Sequence, residues 1–250
     1  MMETNTINSL IEGCSGKKDW YAGYLRSNYH RVAADVSFLT RNCRKSSSVL
    51  DIGGVPPLFA ALLEKEGFTS VAVADPHPTE FNQWFEVSQV QTYEVDLLGS
   101  EVPNLGRQFD IVCLNEVIEH LSGNLLEAIE RSLFWLKDGG VLMVTTPNLR
   151  SLWGLISLFW FSSGLASKPT DTVRMQFERK MGEAGYFGHL REFTPKEVID
   201  LFESFGCRLI ADEFQADYRG GRFRKVIRNF EKLFPRSGLF GKYLFEKIGS

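Results

Sequence analysis

Residues 49–59 read VLDIGGVPPLF: a short apolar stretch carrying one carboxylate, then two glycines and two prolines where the chain has to turn into a helix. Gly53 and Gly54 let the backbone adopt positive φ and approach a ligand closely, and Pro56 or Pro57 fits a first helical turn, where no N–H is needed. An apolar, helix-forming run, LFAALLEKEG, follows, so the prolines begin a helix rather than break one. Taken alone, such a loop is either a ligand-binding corner or a plain strand-to-helix turn. Its neighbours decide which.

Outward from this loop, strands alternate with helices. SVLDI (48–52) predicts the first strand, and the helix after it stops at Gly67, a residue type that tolerates a left-handed C-terminal position. VAVAD (71–75), YEVDLL (93–98) and FDIVCLN (109–115) predict the next three strands. NLLEAIERSLFWLKDGG predicts a helix with Leu125, Ile129, Leu133 and Leu136 on one face, ended by Gly139, before the strand VLMVTTPN. Thr194-Pro195-Lys196-Glu197 is a capping box with proline at the first helical position, so a helix runs from there to about Phe205. RLIADEF and YLFEKI read as a closing strand pair. The alternation implies an α/β chain with a mostly parallel sheet covered on both faces.

Length and composition bound this reading. A chain of 250 residues suits one domain: a helical N-terminal cap over 1–45, a main domain over 46–250, a lid over about 149–187 and a basic segment over 218–250. With 44% hydrophobic and 24% charged residues and a net charge of −3, it is neither disordered nor, overall, a polyanion binder. The charge is uneven: Tyr218 to Ser250 holds nine Lys/Arg and two Asp/Glu. Cys14, Cys43, Cys113 and Cys207 are widely spaced without a CxxC, which predicts free thiols in a reducing compartment. No signal peptide is visible, and LWGLISLFWFSSGL (152–165) is shorter than the roughly 20 residues of a spanning helix. The expected location is cytoplasmic, with peripheral membrane contact open.

In open α/β sheets ligands bind beyond the carboxyl ends of the strands, where Asp51 and the two glycines lie. Asp75 ends the second strand about 20 residues on, a position from which a carboxylate accepts both hydroxyls of a ribose. Asp96 ends the third. These features, with FDIVCLNEVIEHL, LKDGGVLMVTTPN and GHLREFTPKEVIDLFESFG in the same order, resemble the class I S-adenosylmethionine-dependent methyltransferases, in particular the group with an E-x-x-E-H-L segment after strand four. The resemblance covers about residues 45–215. It implies a Rossmann-like, doubly wound, seven-stranded sheet in the order 3-2-1-4-5-7-6 with strand seven antiparallel. It further implies that Asp51, Gly53 and Gly54 line the methionine moiety, Asp75 holds the ribose, Asp96 with Leu97 meets the adenine, and Asn115 closes the site. The chain departs from the family in placing Val55 and Pro57 where glycines are usual. Adenosylmethionine carries no phosphate, so a helix started by proline can replace a complete anion nest.

Methyl transfer is an in-line displacement, for which holding the nucleophile in a dry site supplies much of the acceleration. A hydroxyl acceptor also needs activation, and NEVIEHL offers candidates. If residues 116–120 form a helical turn, Glu116 and His120 share a face at i, i+4, with Glu119 beside them. His189, in FGHLREFT, comes just before the capped helix. Ubiquinone-pathway O-methyltransferases and small-RNA 2′-O-methyltransferases have a similar segment and a downstream histidine, and this likeness implies a divalent metal, Mg or Zn, on Glu116, Glu119, His120 and His189. The residues also allow His120 or His189, with Glu119, to act as a general base, or Glu119-His120 merely to cap the turn or pair with Arg191.

In the lid, Leu152, Ile156 and Phe159 are expected to face the core, leaving Trp153 and Trp160 for a lid contact or a membrane surface. RGGRFRKVIRNFEKLFPRSGLFGKY (219–243) interleaves basic and apolar residues at roughly helical spacing, which suits an acidic membrane or RNA. The function this supports is O-methylation of a small molecule or glycan intermediate, with no obligate protein partner. A metal-dependent RNA 2′-O-methyltransferase and a non-catalytic adaptor with the same fold are the alternatives.

Overall fold

A computed structural model describes residues 2–15, 18–101, 103–121, 123–161, 174–175, 189–216, 229, 231, 233–234 and 236–249. The helices are α1 (Met2–Glu12), α2 (Lys18–Asn42), α3 (Leu58–Glu66), α4 (Asn82–Val87), α5 (Leu125–Phe134), α6 (Leu152–Phe161) and α7 (Pro195–Glu203). The strands are β1 (Val49–Ile52), β2 (Val71–Asp75), β3 (Gln91–Glu94), β4 (Phe109–Asn115), β5 (Leu136–Pro147), β6 (Cys207–Gln215) and β7 (Phe240–Lys247). They form one seven-stranded sheet in the order β3-β2-β1-β4-β5-β7-β6 with β7 antiparallel, as the sequence implies.

The chain divides into two compact units. The first comprises Met1–Asn115, Leu126–Met143 and Glu246–Ser250. Its strands β1 and β2 are buried at every residue, which is why they read as continuous apolar runs rather than alternating ones. Register is parallel, Asp51 facing Val73 on one side and Cys113 on the other. The helix α3 buries Leu58 to Leu63 without a break and ends at Gly67, whose φ of 91° places it in the left-handed region as expected. Pro57 stands at the N-cap, one position before the first turn, and its carbonyl accepts the Ala61 N–H at 3.0 Å. The helices α1 and α2 pack with α3, and Gly13 is there because a Cβ would lie 2.5 Å from Cβ of Trp84. Cys14, Cys43 and Cys113 here, and Cys207 in the other unit, are thiols outside any disulfide.

Two boundaries in this unit differ from the expectation. β3 ends at Glu94, so Asp96 and Leu97 occupy the turn beyond it rather than the strand. The fifth helix ends at Phe134, and Leu136 opens β5 instead of closing the helix face. The cause is tertiary: the Trp135 carbonyl accepts the Phe109 N–H of β4 at 2.8 Å, and the Trp135 indole donates to the Pro103 carbonyl at 3.1 Å. Gly139, with φ 73°, then forms a local turn of backbone inside the strand rather than a helix stop.

The second unit comprises Glu116–Leu125 and Val144–Phe245. Its best-defined helix, α7, starts at the full capping box: Thr194 Oγ1 accepts the Glu197 N–H at 3.3 Å and the Glu197 carboxylate accepts the Thr194 N–H at 2.8 Å. Asn148, buried just past β5, donates its amide to the Arg236 and Gly238 carbonyls and accepts the Arg150 N–H, tying β5 to the turn before β7. Of the expected lid, residues 162–173 and 176–187 lie outside the described residues, as do 218–228, 230, 232, 235 and 250 of the basic segment. In α6 Leu152 and Ile156 are half-buried and Trp160 is exposed, and only Phe159 departs from the expected inward face. Gly154 and Ser157 are buried, and Phe159 is 83% exposed. Among the described residues, no helix is long and apolar enough to cross a membrane.

Candidate functional site

The first group of candidate residues gathers in the first unit at the carboxyl ends of adjacent parallel strands. Asp51 in β1 is buried, and Asn115 at the end of β4 donates Nδ2 to its Oδ1 at 3.0 Å. Burial pushes the Asp51 carboxyl up to about 7; the Asn115 hydrogen bond pulls it down and the nearby Asp75 charge raises it further. Gly53 takes φ 71°, the left-handed region that favours glycine. A Cβ on Gly54 would lie 2.5 Å from Asp51 Oδ2 and 3.1 Å from Val73 Cγ1, so the pair of glycines keeps the carboxylate's flank open.

Asp75, at the end of β2, is also buried, and burial raises its pKa; the His77 and Val55 backbone hydrogen bonds oppose that shift. Its Oδ1 accepts the His77 N–H at 2.8 Å and its Oδ2 the Val55 N–H at 3.2 Å. An ionised carboxylate has about four acceptor positions, so this orients the group and leaves acceptors for two more donors. Sequence reading missed both contacts. At Val55, where the resemblance leads one to expect glycine, what the loop uses is the backbone N–H, which every residue but proline has. The N–H groups of Gly53, Val55 and Leu58 are all donated within the protein, so the loop is no phosphate nest. A ligand without phosphates fits it.

Asn115 Oδ1 is buried and has no hydrogen-bond partner among the described residues. A buried acceptor left without a donor costs about 1–3 kcal/mol and points to a missing donor. Asp96 differs from the other three: it is exposed, accepting the Leu98 N–H at 2.8 Å, while the following Leu97 is buried and its carbonyl accepts Arg131 Nη1 at 2.8 Å. A cavity of about 340 Å³ lies at the other, amino ends of β1, β4 and β5, lined among others by Cys43, Ser47, Asp110 and Lys137. It contains none of the candidate residues, and burial pushes the Cys43 thiol up to about 11, away from nucleophilic use.

The second group lies in the second unit. Residues 116–120 do not form one helical turn. Glu116 has φ 55°, and the turn begins at Val117, whose carbonyl accepts the His120 N–H at 2.9 Å. The i, i+4 pairing of Glu116 with His120 is therefore lost: Glu116 turns back on β5, its N–H bonded to the Thr145 carbonyl at 2.9 Å. Glu119, His120 and His189 do come together, with potential ligand atoms all within 4.8 Å of one another. Glu119 is fully buried; Thr146 donates to its Oε2 at 3.0 Å, and its backbone carbonyl accepts the Leu190 N–H at 2.7 Å. That last bond brings the segment after His189 to the turn. The two imidazoles meet edge to face with centroids 4.8 Å apart, close to the roughly 5 Å expected of two rings sharing one ion at about 2.1 Å each. His120 Nε2 is 4.0 Å from Glu119 Oε1, and His189 Nδ1 is 3.8 Å from Glu192 Oε1. The Arg191 guanidinium pairs with Glu197 at 3.0 Å, not with the Glu119 carboxylate. Thr146 escaped sequence reading because only the fold brings β5 to the turn.

One carboxylate and two imidazoles can move a proton, or hold a divalent cation of the kind that takes nitrogen and oxygen ligands. The same residues suit either use.

The family model described as a methyltransferase domain matches residues 21–212. No curated protein matches the chain significantly. Among solved structures, an S-adenosylmethionine-dependent methyltransferase from Thermotoga maritima is 15% identical, with 92% of this chain and 95% of that chain covered and a TM-score of 0.58. One from Archaeoglobus fulgidus is 19% identical, with coverage of 90% and 99% and a TM-score of 0.55. Magnesium protoporphyrin IX methyltransferase from Synechocystis PCC 6803, crystallised with bound SAH, is 11% identical, with coverage of 95% and 90% and a TM-score of 0.55. At such identities the likeness is one of fold.

Proposed function

Since the chain belongs to the methyltransferase-domain family, we propose that it transfers a methyl group from adenosylmethionine to a hydroxyl of a small molecule or glycan intermediate. The observation that carries the reading is the strand-end group of Asp51, Asp75 and Asn115, with its buried, partnerless Asn115 Oδ1 and the space kept by Gly54. Bound there, adenosylmethionine supplies an electrophilic methyl group on a sulfonium. Asp51 and Asn115 Oδ1 offer acceptors to the ammonium of the methionine moiety. Asp75, already oriented by Val55 and His77, accepts the ribose hydroxyls; Leu97 offers apolar surface to the adenine and Asp96 an acceptor at its rim.

The acceptor hydroxyl needs a base, and His120 with His189 supplies it. Glu119, buried and anchored by Thr146, provides the negative charge that favours an imidazolium once the proton has moved. The compactness of Glu119, His120 and His189 favours a second reading, in which these three hold a divalent cation that lowers the hydroxyl's pKa.

Calorimetry tests the proposal. The protein is expected to bind adenosylmethionine or its demethylated product, and Asp75→Ala to weaken binding by about 1.5–3 kcal/mol through lost charge-assisted hydrogen bonds. No binding by the wild type would turn the reading to a non-catalytic adaptor. Unchanged binding in a folded Asp75→Ala protein would remove the ribose assignment.

A further inference from the structure

We propose that Arg131 is a positioning residue for base recognition: through a single peptide plane it sets the Asp96 carboxylate to select an amino-bearing purine over its oxo counterpart. This role rests on the reading of the strand-end group as an adenosylmethionine site, a reading that makes no use of Arg131. A charged side chain on the inward side of a helix is costly unless its donors are met. On α5, Arg131 is buried beside Ala128, Ile129, Ser132 and Leu133, with 7% of it exposed. Its Nη2 pairs with Glu127 one turn earlier. Its Nη1 reaches the loop after β3, donating to the Leu97 carbonyl at 2.8 Å and also to the Gly99 carbonyl. The Nε is buried without a hydrogen-bond partner among the described residues, so what holds the side chain here is the reach of its Nη groups. Both backbone acceptors they take lie in one short loop.

The Leu97 carbonyl and the Leu98 N–H belong to one planar peptide. Arg131 holds one edge of that plane, and Asp96 Oδ1 accepts the Leu98 N–H at the other edge at 2.8 Å. A rotation of the plane that broke the first bond would break the second, so fixing the carbonyl fixes the carboxylate. The Gly99 N–H, bonded to the Asp96 carbonyl at 3.1 Å, closes the turn. The near end of the loop is held as well: the Val95 N–H donates to the Asp75 carbonyl at 3.0 Å, which ties Asp96 to the residue assigned to the ribose. With Oδ1 taken by Leu98, Oδ2 is left to accept the exocyclic amine of adenine. A base with an oxo group there would set a second acceptor against the carboxylate. Lysine could not replace this arginine, because a point-like ammonium lacks the fixed fork that meets the loop and Glu127 together.

Calorimetry with two probes tests this role: adenosylhomocysteine, the demethylated product, and inosylhomocysteine, whose base carries an oxo group in place of the amine. The wild type should prefer the first by about tenfold or more, and Asp96→Ala should lose that preference. Arg131→Met, checked for folding by circular dichroism melting, should lose it too while still binding both compounds. Arg131→Lys should keep only part of it. The double variant Asp96→Ala, Arg131→Met should bind adenosylhomocysteine about as weakly as Asp96→Ala alone, since the two residues act in series. Without any ligand, hydrogen exchange at the Leu98 amide should be faster in Arg131→Met than in the wild type. The wild-type preference in folded Arg131→Met, or in Arg131→Lys should the former not fold, would overturn the role. So would losses that multiply in the double variant, because Arg131 would then act otherwise than through Asp96. Wild-type protein that binds both probes equally would remove the adenine assignment of Asp96 and this role with it, leaving the cofactor reading intact; wild-type protein that binds neither would remove the cofactor reading itself.

Discussion

Asp51 is a carboxyl group folded into a place where its charged form is poorly solvated. Its pKa of about 7 results first from burial, against the pull of Asn115 and with the push of Asp75. In the unfolded chain it titrates near 3.9, so between about pH 4 and 7 the folded protein holds a proton that the unfolded one has released. The stabilisation is complete below the lower value, declines as pH rises through the upper one, and is gone above it. Asp51→Asn, which keeps an acceptor for the Asn115 amide, should therefore flatten the loss of thermal stability between pH 5 and pH 8. A cationic ligand favours the carboxylate, so wild-type affinity for adenosylmethionine should strengthen from pH 6 to pH 8 and that of Asp51→Asn should not. Identical pH profiles for the two proteins, in melting and in binding, would show that Asp51 does not titrate in this range.

At the scale of the element, the segment after β4 is decided by Glu116. A non-glycine residue at φ 55° costs on the order of 1 kcal/mol, and here it lets the chain leave the strand, return an N–H to Thr145 and begin a fresh turn at Val117. Replacing it with glycine relieves the strain and removes a weak contact with Thr145 Oγ1 at 3.4 Å. Chemical denaturation should find Glu116→Gly at least as stable as the wild type, and Glu116→Val, whose branched Cβ resists this conformation, less stable by about 1–2 kcal/mol. Equal destabilisation by both would mean that the carboxylate, not the backbone, matters there. The adjacent turn depends on the same geometry, because Glu119 reaches Thr146 only after the chain has reversed. Local pattern reading left a continuous helical turn open here, since nothing in EVIEH forbids one; the Glu116 bond to Thr145 of β5 rules it out. The capping box at Thr194 shows the opposite case. Its two reciprocal bonds lie within four residues, so spacing alone was enough to locate the start of α7.

For the molecule as a whole, the candidate residues fall into two groups, each within one unit: Asp51, Asp75 and Asn115 in the first, Glu119, His120 and His189 in the second. Variants should divide in the same way. His189→Ala and His120→Ala should leave calorimetric binding of adenosylmethionine unchanged and abolish turnover on a verified hydroxyl acceptor. With an imidazole base, chelator leaves wild-type turnover intact; loss of turnover on chelation, restored by Mg²⁺, Mn²⁺ or Zn²⁺, would assign the group to a cation instead. Near-normal turnover in both variants would dismiss both mechanisms. The order of elements, the parallel core and the placing of Asp51 and Asp75 at strand ends followed from the sequence by itself, because burial on both faces writes a continuous apolar run and glycine or proline marks where it stops. The tertiary structure alone decided that Trp135 ends its helix for a bond to β4, that Val55 serves through its backbone, that Glu116 leaves β4 with a left-handed backbone bonded to Thr145, and that α6 leaves Phe159 and Trp160 exposed. Each depends on a partner distant in the chain or on a backbone angle rare for its residue type, and neither is written in local periodicity.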